Sequence, residues 1–359
     1  MRRILLVGDY PPPYGGVSVQ VASLRHRLAT RRDTEVEVLD IGARRRERRA
    51  GCLPATGPIG LIATILAHVR RGFTPHLHTN GHNRKSWLMV LACTAVAAAG
   101  KRRAVVSLGS GLMPAFLDRA RASTRAVARA GLSAAGTVVV RNERARSALE
   151  AFGVTPEKVV VLPGFYGVAP EEIGIPPADV PAFREQHRPL IGAIASLGAE
   201  YGIPLLLDAA ARLRPKYPRL GLLLLGPDRL DDGCPQWALP VGECERPALL
   251  GSMQMLDVFV RPTYFDGDAS SVREALALGV RAVASDTAFR PEGVWRFPCG
   301  DADALASTIE QALAGHATRV ESTSLSALLA VYDRLAGDGV PPTARRTTAH
   351  DANGTVRVG

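Results

Sequence analysis

Residues 261–286, RPTYFDGDASSVREALALGVRAVASD, are the stretch on which the fold turns. The preceding residues, Leu256-Asp257-Val258-Phe259-Val260, form a short apolar, β-branched run suited to a buried parallel strand, and that strand ends at Pro262 in the polar loop Tyr264–Asp268. Ser270 or Ser271 can cap a following helix, whose apolar face is Ala275, Leu276 and Leu278. Gly279 ends that helix, and Arg281–Ser285 returns as a strand, so the spacing predicts a βαβ unit. In an open α/β sheet ligands gather beyond the carboxyl ends of the strands, and a helix amino terminus offers unpaired N–H groups to an anion such as a diphosphate. Asp266 and Glu274 flank that position.

Two other readings of the same residues stay open. Ser271-Val272-Arg273-Glu274 has the spacing of a capping box, in which Glu274 would only bond the cap residue's amide. Asp266-Gly267-Asp268 mimics an Asp-x-Asp metal motif, but two carboxylates alone make a thin magnesium site, so no metal is expected.

The chain of 359 residues is long enough for two domains with separate cores, and 47% hydrophobic content excludes general disorder. The opening MRRILLVGDYPPP has an apolar run, but Asp9 and three prolines break it too early for a signal peptide. Residues 88–100, LMVLACTAVAAAG, are too short to span a membrane and read as a buried helix. A cytoplasmic protein is expected. Five cysteines without a CxxC pair suit reduced thiols and exclude a disulfide framework or zinc site. The net charge of +10 suits anionic partners, but 5% aromatic content and the absence of a nucleic-acid module point away from nucleic acid.

In chain order, Ile4–Tyr10 gives a first strand, and Pro11-Pro12-Pro13-Tyr14-Gly15-Gly16 a loop whose paired glycines permit close backbone approach before the helix of residues 17–31. Residues 35–42 give a second strand. The basic run Arg44, Arg45, Arg46, Arg48 and Arg49 then precedes the apolar helix 59–72. Such a pairing could hold the chain peripherally on an anionic membrane, or the helix could pack on the sheet with the run merely solvated. A histidine cluster, His76, His78 and His82, follows a strand-like slot, and residues 103–111 give a strand ending near Gly109. Residues 167–183 form a Pro-rich linker. Residues 189–213 and 218–228 read strand, helix and strand, and 293–313 a closing strand and helix.

DGDASSVREA (266–275) is similar, position for position, to the EGFGLPVLEA-type signature of family-four glycosyltransferases, the group 1 type, which are retaining enzymes of the GT-B fold. Gly15-Gly16, the histidine segment, residues 135–165 and the closing strand and helix resemble that family's elements in order. The resemblance implies an α/β protein of two Rossmann-like domains facing across a cleft. The expected division is 1–170 on the acceptor side, with 322–338 crossing back to it, 171–321 for the sugar nucleotide, and a disordered tail at 339–359. It further implies transfer of a hexosyl unit from a nucleoside-diphosphate sugar to a glycan or lipid-linked acceptor, with bacterial envelope polysaccharide synthesis the expected setting and no metal cofactor. Asp266 and Glu274 take the two acid positions. Gly267, Asp268, Ala269, Ser270 and Ser271 would meet donor sugar and phosphate, and Gly15 and Gly16 the diphosphate.

The chain departs from the family pattern at three places. Gly109 stands where a histidine commonly contacts the donor sugar, with His78 or His82 available to fill the space. Ser196 and Tyr201 stand where an Arg and a Lys commonly neutralise the leaving diphosphate. Arg261, Arg273 and Arg290 are the candidate substitutes, and Arg290 is preferred because it follows the strand carrying Asp286. The departures keep two rivals in play: a sugar-nucleotide epimerase or hydrolase on the same fold, and a non-catalytic binding or scaffold protein.

Overall fold

The computed structural model describes residues 1–12, 15–42, 51–195, 198–226, 234–265, 268–287, 289–320 and 322–336. Apolar β-branched runs alternate with amphipathic helices along the whole chain, and a parallel sheet is the arrangement that buries such strands on both faces. In the first half the elements run β1 (Arg2–Gly8), α1 (Gly16–Ala29), β2 (Thr34–Asp40), β3 (Leu53–Pro54), α2 (Gly57–Arg70), β4 (Thr74–Thr79), α3 (Arg84–Ala99), β5 (Val105–Leu108), α4 (Met113–Arg119), α5 (Ala122–Ala134), β6 (Thr137–Val140), α6 (Glu143–Ala151) and β7 (Val159–Val161). The second half runs α7 (Asp179–Gln186), β8 (Leu190–Ile194), α8 (Ile203–Leu213), β9 (Gly221–Leu225), β10 (Ala238–Gly242), α9 (Arg246–Gln254), β11 (Val258–Arg261), α10 (Ser270–Ala277), β12 (Arg281–Ser285), β13 (Val294–Phe297), α11 (Ala302–Ala314) and α12 (Ser324–Ala336).

The strands form two parallel sheets, ordered β3-β2-β1-β4-β5-β6-β7 and β10-β9-β8-β11-β12-β13. Both orders reverse direction once, between β1 and β4 and between β8 and β11. A ligand crevice opens at such a reversal, because the connections on its two sides leave toward opposite faces. Alternate residues of β1 serve opposite faces: Leu5 and Val7 join a core with α2, α3 and α5, whereas Ile4 and Leu6 join one with α1 and α12. The second sheet is likewise covered by α8 and α11 on one face and by α9 and α10 on the other.

Several elements differ from the sequence expectations. His76 and His78 lie within β4, not after it. The linker ends in a helix, α7, and it also holds a 3-10 turn, Pro170–Glu172. Residues 113–134 form α4 and α5, which their Ala- and Arg-rich sequence did not announce. Among the described residues no helix is long and apolar enough to cross a membrane. The arginine run 44–49 and the tail from 337 lie outside the described residues.

Helix α12 packs on the first sheet. Tyr332 is fully buried there, its hydroxyl 2.6 Å from His76 Nδ1, and Asp333 pairs with Arg2 at 2.7 Å. Arg334 also donates to Thr137 Oγ1 at 3.0 Å.

Candidate functional site

The loops after β8 and β11 meet at the second sheet's reversal. Gly202 makes the junction: its φ is +66°, and an added Cβ would sit 2.1 Å from the Pro262 carbonyl oxygen, so no other residue fits without moving that loop. Tyr264 N–H donates to the Glu200 carbonyl at 2.9 Å. The Arg261 guanidinium lies 5.2 Å from the Tyr201 ring centroid, within cation–π range. Of the three candidate cations, only Arg261 therefore sits against the residue that replaces the expected lysine. Arg273 is held by Asp268. Arg290 is buried and bonds the Ser285 carbonyl, the Ser285 hydroxyl and the Thr263 hydroxyl, so it braces the ends of β11 and β12. Ser196, Asp266 and Gly267 lie outside the described residues.

Helix α10 starts one residue earlier than a serine cap requires. Its N-cap is Ala269, whose side chain has no acceptor, and Ser270 and Ser271 are already helical, so among the described residues no side chain caps this terminus. The first turn also lacks an acidic residue. Such a terminus keeps its positive end and amide donors for another acceptor. Asp268, just before it, accepts from Arg273 Nε at 2.6 Å through Oδ1, while its Oδ2 is buried without a partner.

Glu274 is not in a capping box. It is buried, and its Oε1 accepts from Arg246 Nη1 at 2.6 Å. The α10 geometry turns residue 274 toward α9, away from the helix start, and the ion pair replaces the reciprocal cap that the Ser-x-x-Glu spacing suggested. Arg246, at the first position of α9, went unnoticed in the sequence because its partner lies 28 residues away.

At the first sheet's reversal, Gly15 caps α1 and Gly16 opens it; both are exposed, and an added Cβ on Gly16 would meet nothing within 4 Å. An added Cβ on Gly15 would lie 3.8 Å from Ser18 Oγ. Gly109 N–H donates to the Thr79 carbonyl at 2.8 Å, and its own Cβ position lies 3.2 Å from Val17 Cγ2. Val17 thus borders the place where a longer residue at 109 would begin.

The histidines behave differently from one another. His76 is bonded on both ring nitrogens, to Tyr332 and to Ser107 Oγ at 2.7 Å. His78 lies against it, tilted, with centroids 4.0 Å apart, and is only 2% exposed, with both ring nitrogens unpartnered. Burial, then the charge of Arg141, depresses the His78 pKa to about 3. Burial, His78 and Arg141 together push His76 well below its usual value. The His78 ring is buried within the sheet, and the atoms nearest an added Cβ at 109 belong to Val17, Asn80 and Thr79. His82 is half-buried and remains nearer the surface.

Residues 188–315 match the family "Glycosyl transferases group 1". That match spans the six strands of the second sheet and helices α8 to α11. The whole chain is similar in fold to a sucrose-phosphate synthase from Thermosynechococcus elongatus, with a TM-score of 0.63, 17% identity, and coverage of 94% of this chain and 96% of that one. It is similar also to Anabaena HepE in complex with UDP-glucose (TM-score 0.61, 15% identity, 94% and 98% covered). A third similar structure is a putative UDP-N-acetylglucosamine 2-epimerase from Listeria monocytogenes (0.60, 12%, 92% and 96%). No curated protein matches the sequence. The fold is GT-B, and the enzyme class is glycosyltransferase.

Proposed function

We propose that the protein is a retaining hexosyltransferase that moves a hexosyl unit from a nucleoside-diphosphate sugar to a glycan or lipid-linked acceptor in envelope polysaccharide synthesis. One observation carries this reading: within the matched region, the uncapped amino terminus of α10 stands at the carboxyl end of β11, and the same helix carries Glu274 with its carboxylate fixed by Arg246. Similar folds hold UDP and UDP-glucose, which makes uridine diphosphate the first nucleotide to try.

In this reading residues 171–321 bind the sugar nucleotide, and residues 1–170, completed by 322–338, bind the acceptor. Glu274 accepts the ribose hydroxyls. Asp266 and the amides from Gly267 to Ser271 face sugar and phosphate, and Gly15 and Gly16 let the diphosphate approach the first sheet. The acceptor oxygen bonds to the anomeric carbon as the bond from that carbon to the phosphate oxygen breaks. The departing phosphate takes the acceptor's proton on the same face, so the configuration is retained. Arg261 supplies positive charge near the leaving group in place of the replaced lysine, and the α10 amides add oriented dipoles, a large electrostatic contribution in such sites. Asp268 is neutralised by Arg273 at 2.6 Å, and a guanidinium so close repels a divalent ion, which supports transfer without metal.

A peripheral anionic-membrane contact belongs to the same proposal. Helix α2 is apolar on two faces: Leu61, Ile65 and Val69 point into the core, while Ile59, Ile62, Ala63 and Ala67 are exposed at helical spacing. Near its carboxyl end Arg2, Arg3, Arg70, Arg71 and Arg102 line a concavity of about 550 Å³. That concavity adjoins the amino ends of β1 and β4, away from the loops of the candidate site, so it is read as surface charge and not as the donor pocket.

Thermal melts with a panel of uridine, guanosine and adenosine diphosphate sugars test the reading. One family of nucleotides should raise the melting temperature of the wild type and leave that of Glu274→Ala unmoved. No stabilisation by any of them would refute it.

A further inference from the structure

Arg246 bonds one acid and feels the charge of a second from a separate part of the chain. Its Nη1 bonds Glu274 Oε1 at 2.6 Å, with the arginine side chain 15% and the glutamate 6% exposed. Burial alone would lower the guanidinium pKa, yet Glu274, by charge and hydrogen bond, and then the charge of Glu172 raise it overall. Glu172 is buried in the segment joining the two sheets, and its Oε2 accepts from Ala169 N–H at 2.7 Å. The same segment is docked on α9 by its backbone: Gly174 N–H donates to the Pro247 carbonyl at 2.9 Å, and a Cβ on Gly251 would sit 2.1 Å from the Gly174 carbonyl oxygen. The linker is thus docked on α9, whose first residue, Arg246, bonds α10.

A glutamate in a helix has three rotatable side-chain bonds, and freezing them on binding opposes affinity. Here Arg246 has already fixed one oxygen, and Glu274 Oε2 carries no hydrogen bond among the described residues. We propose that Arg246 is the positioning residue for Glu274, holding Oε1 so that Oε2 is presented to the ribose hydroxyls of the nucleotide, and that the charge of Glu172, on a segment docked at the start of α9, adds to this hold. The inference rests on Glu274 being the ribose-binding acid. It extends that reading to a residue outside the signature and to the linker itself.

The test is discrimination of the ribose hydroxyls. Calorimetric titration compares UDP, GDP and ADP with their 2′,3′-dideoxy counterparts on the wild type, Arg246→Met and Arg246→Lys. The wild type should favour the complete ribose about tenfold or more, since a site built to bond a hydroxyl leaves a polar group unpaired when it is missing. Arg246→Met should bring the ratio close to one while dideoxynucleotide affinity changes little, and Arg246→Lys should give an intermediate ratio. A purely structural arginine would weaken both nucleotides alike and keep the ratio, which would overturn the proposal. A wild type that fails to discriminate would overturn it too, by removing the ribose role of Glu274 itself. Should Arg246→Met not fold, Arg246→Lys and Glu172→Gln decide the matter: a wild-type ratio in both overturns the inference, and a reduced ratio in either supports it.

Discussion

Lowering the pH should weaken the fold through His76 and His78, and the effect can be worked out from their burial. An imidazole in the unfolded chain titrates near 6.5, whereas His78 in the folded chain titrates near 3 and His76 well below its usual value. The folded pKa is depressed, so the unfolded state binds the extra protons. Stability is complete above about pH 6.5 and falls as pH drops toward about 3. Between pH 7 and pH 5 the linkage gives a loss of about 2 kcal/mol for His78, a sizeable share of the usual ~5–15 kcal/mol, and His76 adds to it in the same direction. Urea unfolding at the two pH values should show it. The variant His78→Leu removes one titrating ring whose nitrogens had no partner, and it should lose about 2 kcal/mol less than the wild type over the same interval. Carboxylates titrate equally in both proteins and cancel from the difference. Equal losses, within about 0.5 kcal/mol, would refute the assignment of the pH dependence to this buried pair.

Gly202→Ala, with its Cβ driven against the Pro262 carbonyl at positive φ, should lower stability by about 1–3 kcal/mol and reduce sugar-nucleotide binding by parting the β8 and β11 loops; a melt with and without nucleotide reads both. Transfer should persist in excess chelator, and activity that vanishes there and returns with one divalent metal would reassign the Asp266–Asp268 loop. The wild type should float with anionic liposomes at low salt and Ile62→Glu should float less, as checked by flotation against neutral liposomes.

The βαβ alternation was legible because each strand is a continuous apolar run and each helix has its own stop, Gly279 at φ +76° being an example. Both site loops were legible for the same reason, since a loop after a buried parallel strand is placed by the strand itself. What stayed hidden were relations across the chain. Arg246 carries no local signal, and its role appears only when α9 and α10 are packed side by side. The sequence also could not show how the candidate cations pack: Arg290 bonds Ser285 and Thr263, whereas Arg261 lies over the Tyr201 ring. The serine cap was misplaced by one residue, because propensity favours serine at the N-cap while the loop's path put Ala269 there. The histidine cluster was placed after its strand because its polarity hides that His76 and His78 belong to β4, where His76 is buried and bonds Tyr332 of α12 and Ser107 of β5.

The fate of the sugar tests the account most directly. Wild type and Glu274→Ala are incubated with uridine, guanosine and adenosine diphosphate hexoses and a mixture of glycan and lipid-linked acceptors, and free nucleoside diphosphate and product linkage are followed together. The account predicts that one donor releases its nucleoside diphosphate only with acceptor present, that the hexosyl unit appears on the acceptor with its anomeric configuration unchanged, and that Glu274→Ala does neither. Interconversion of the sugar without transfer, or transfer that survives the loss of Glu274, would contradict it.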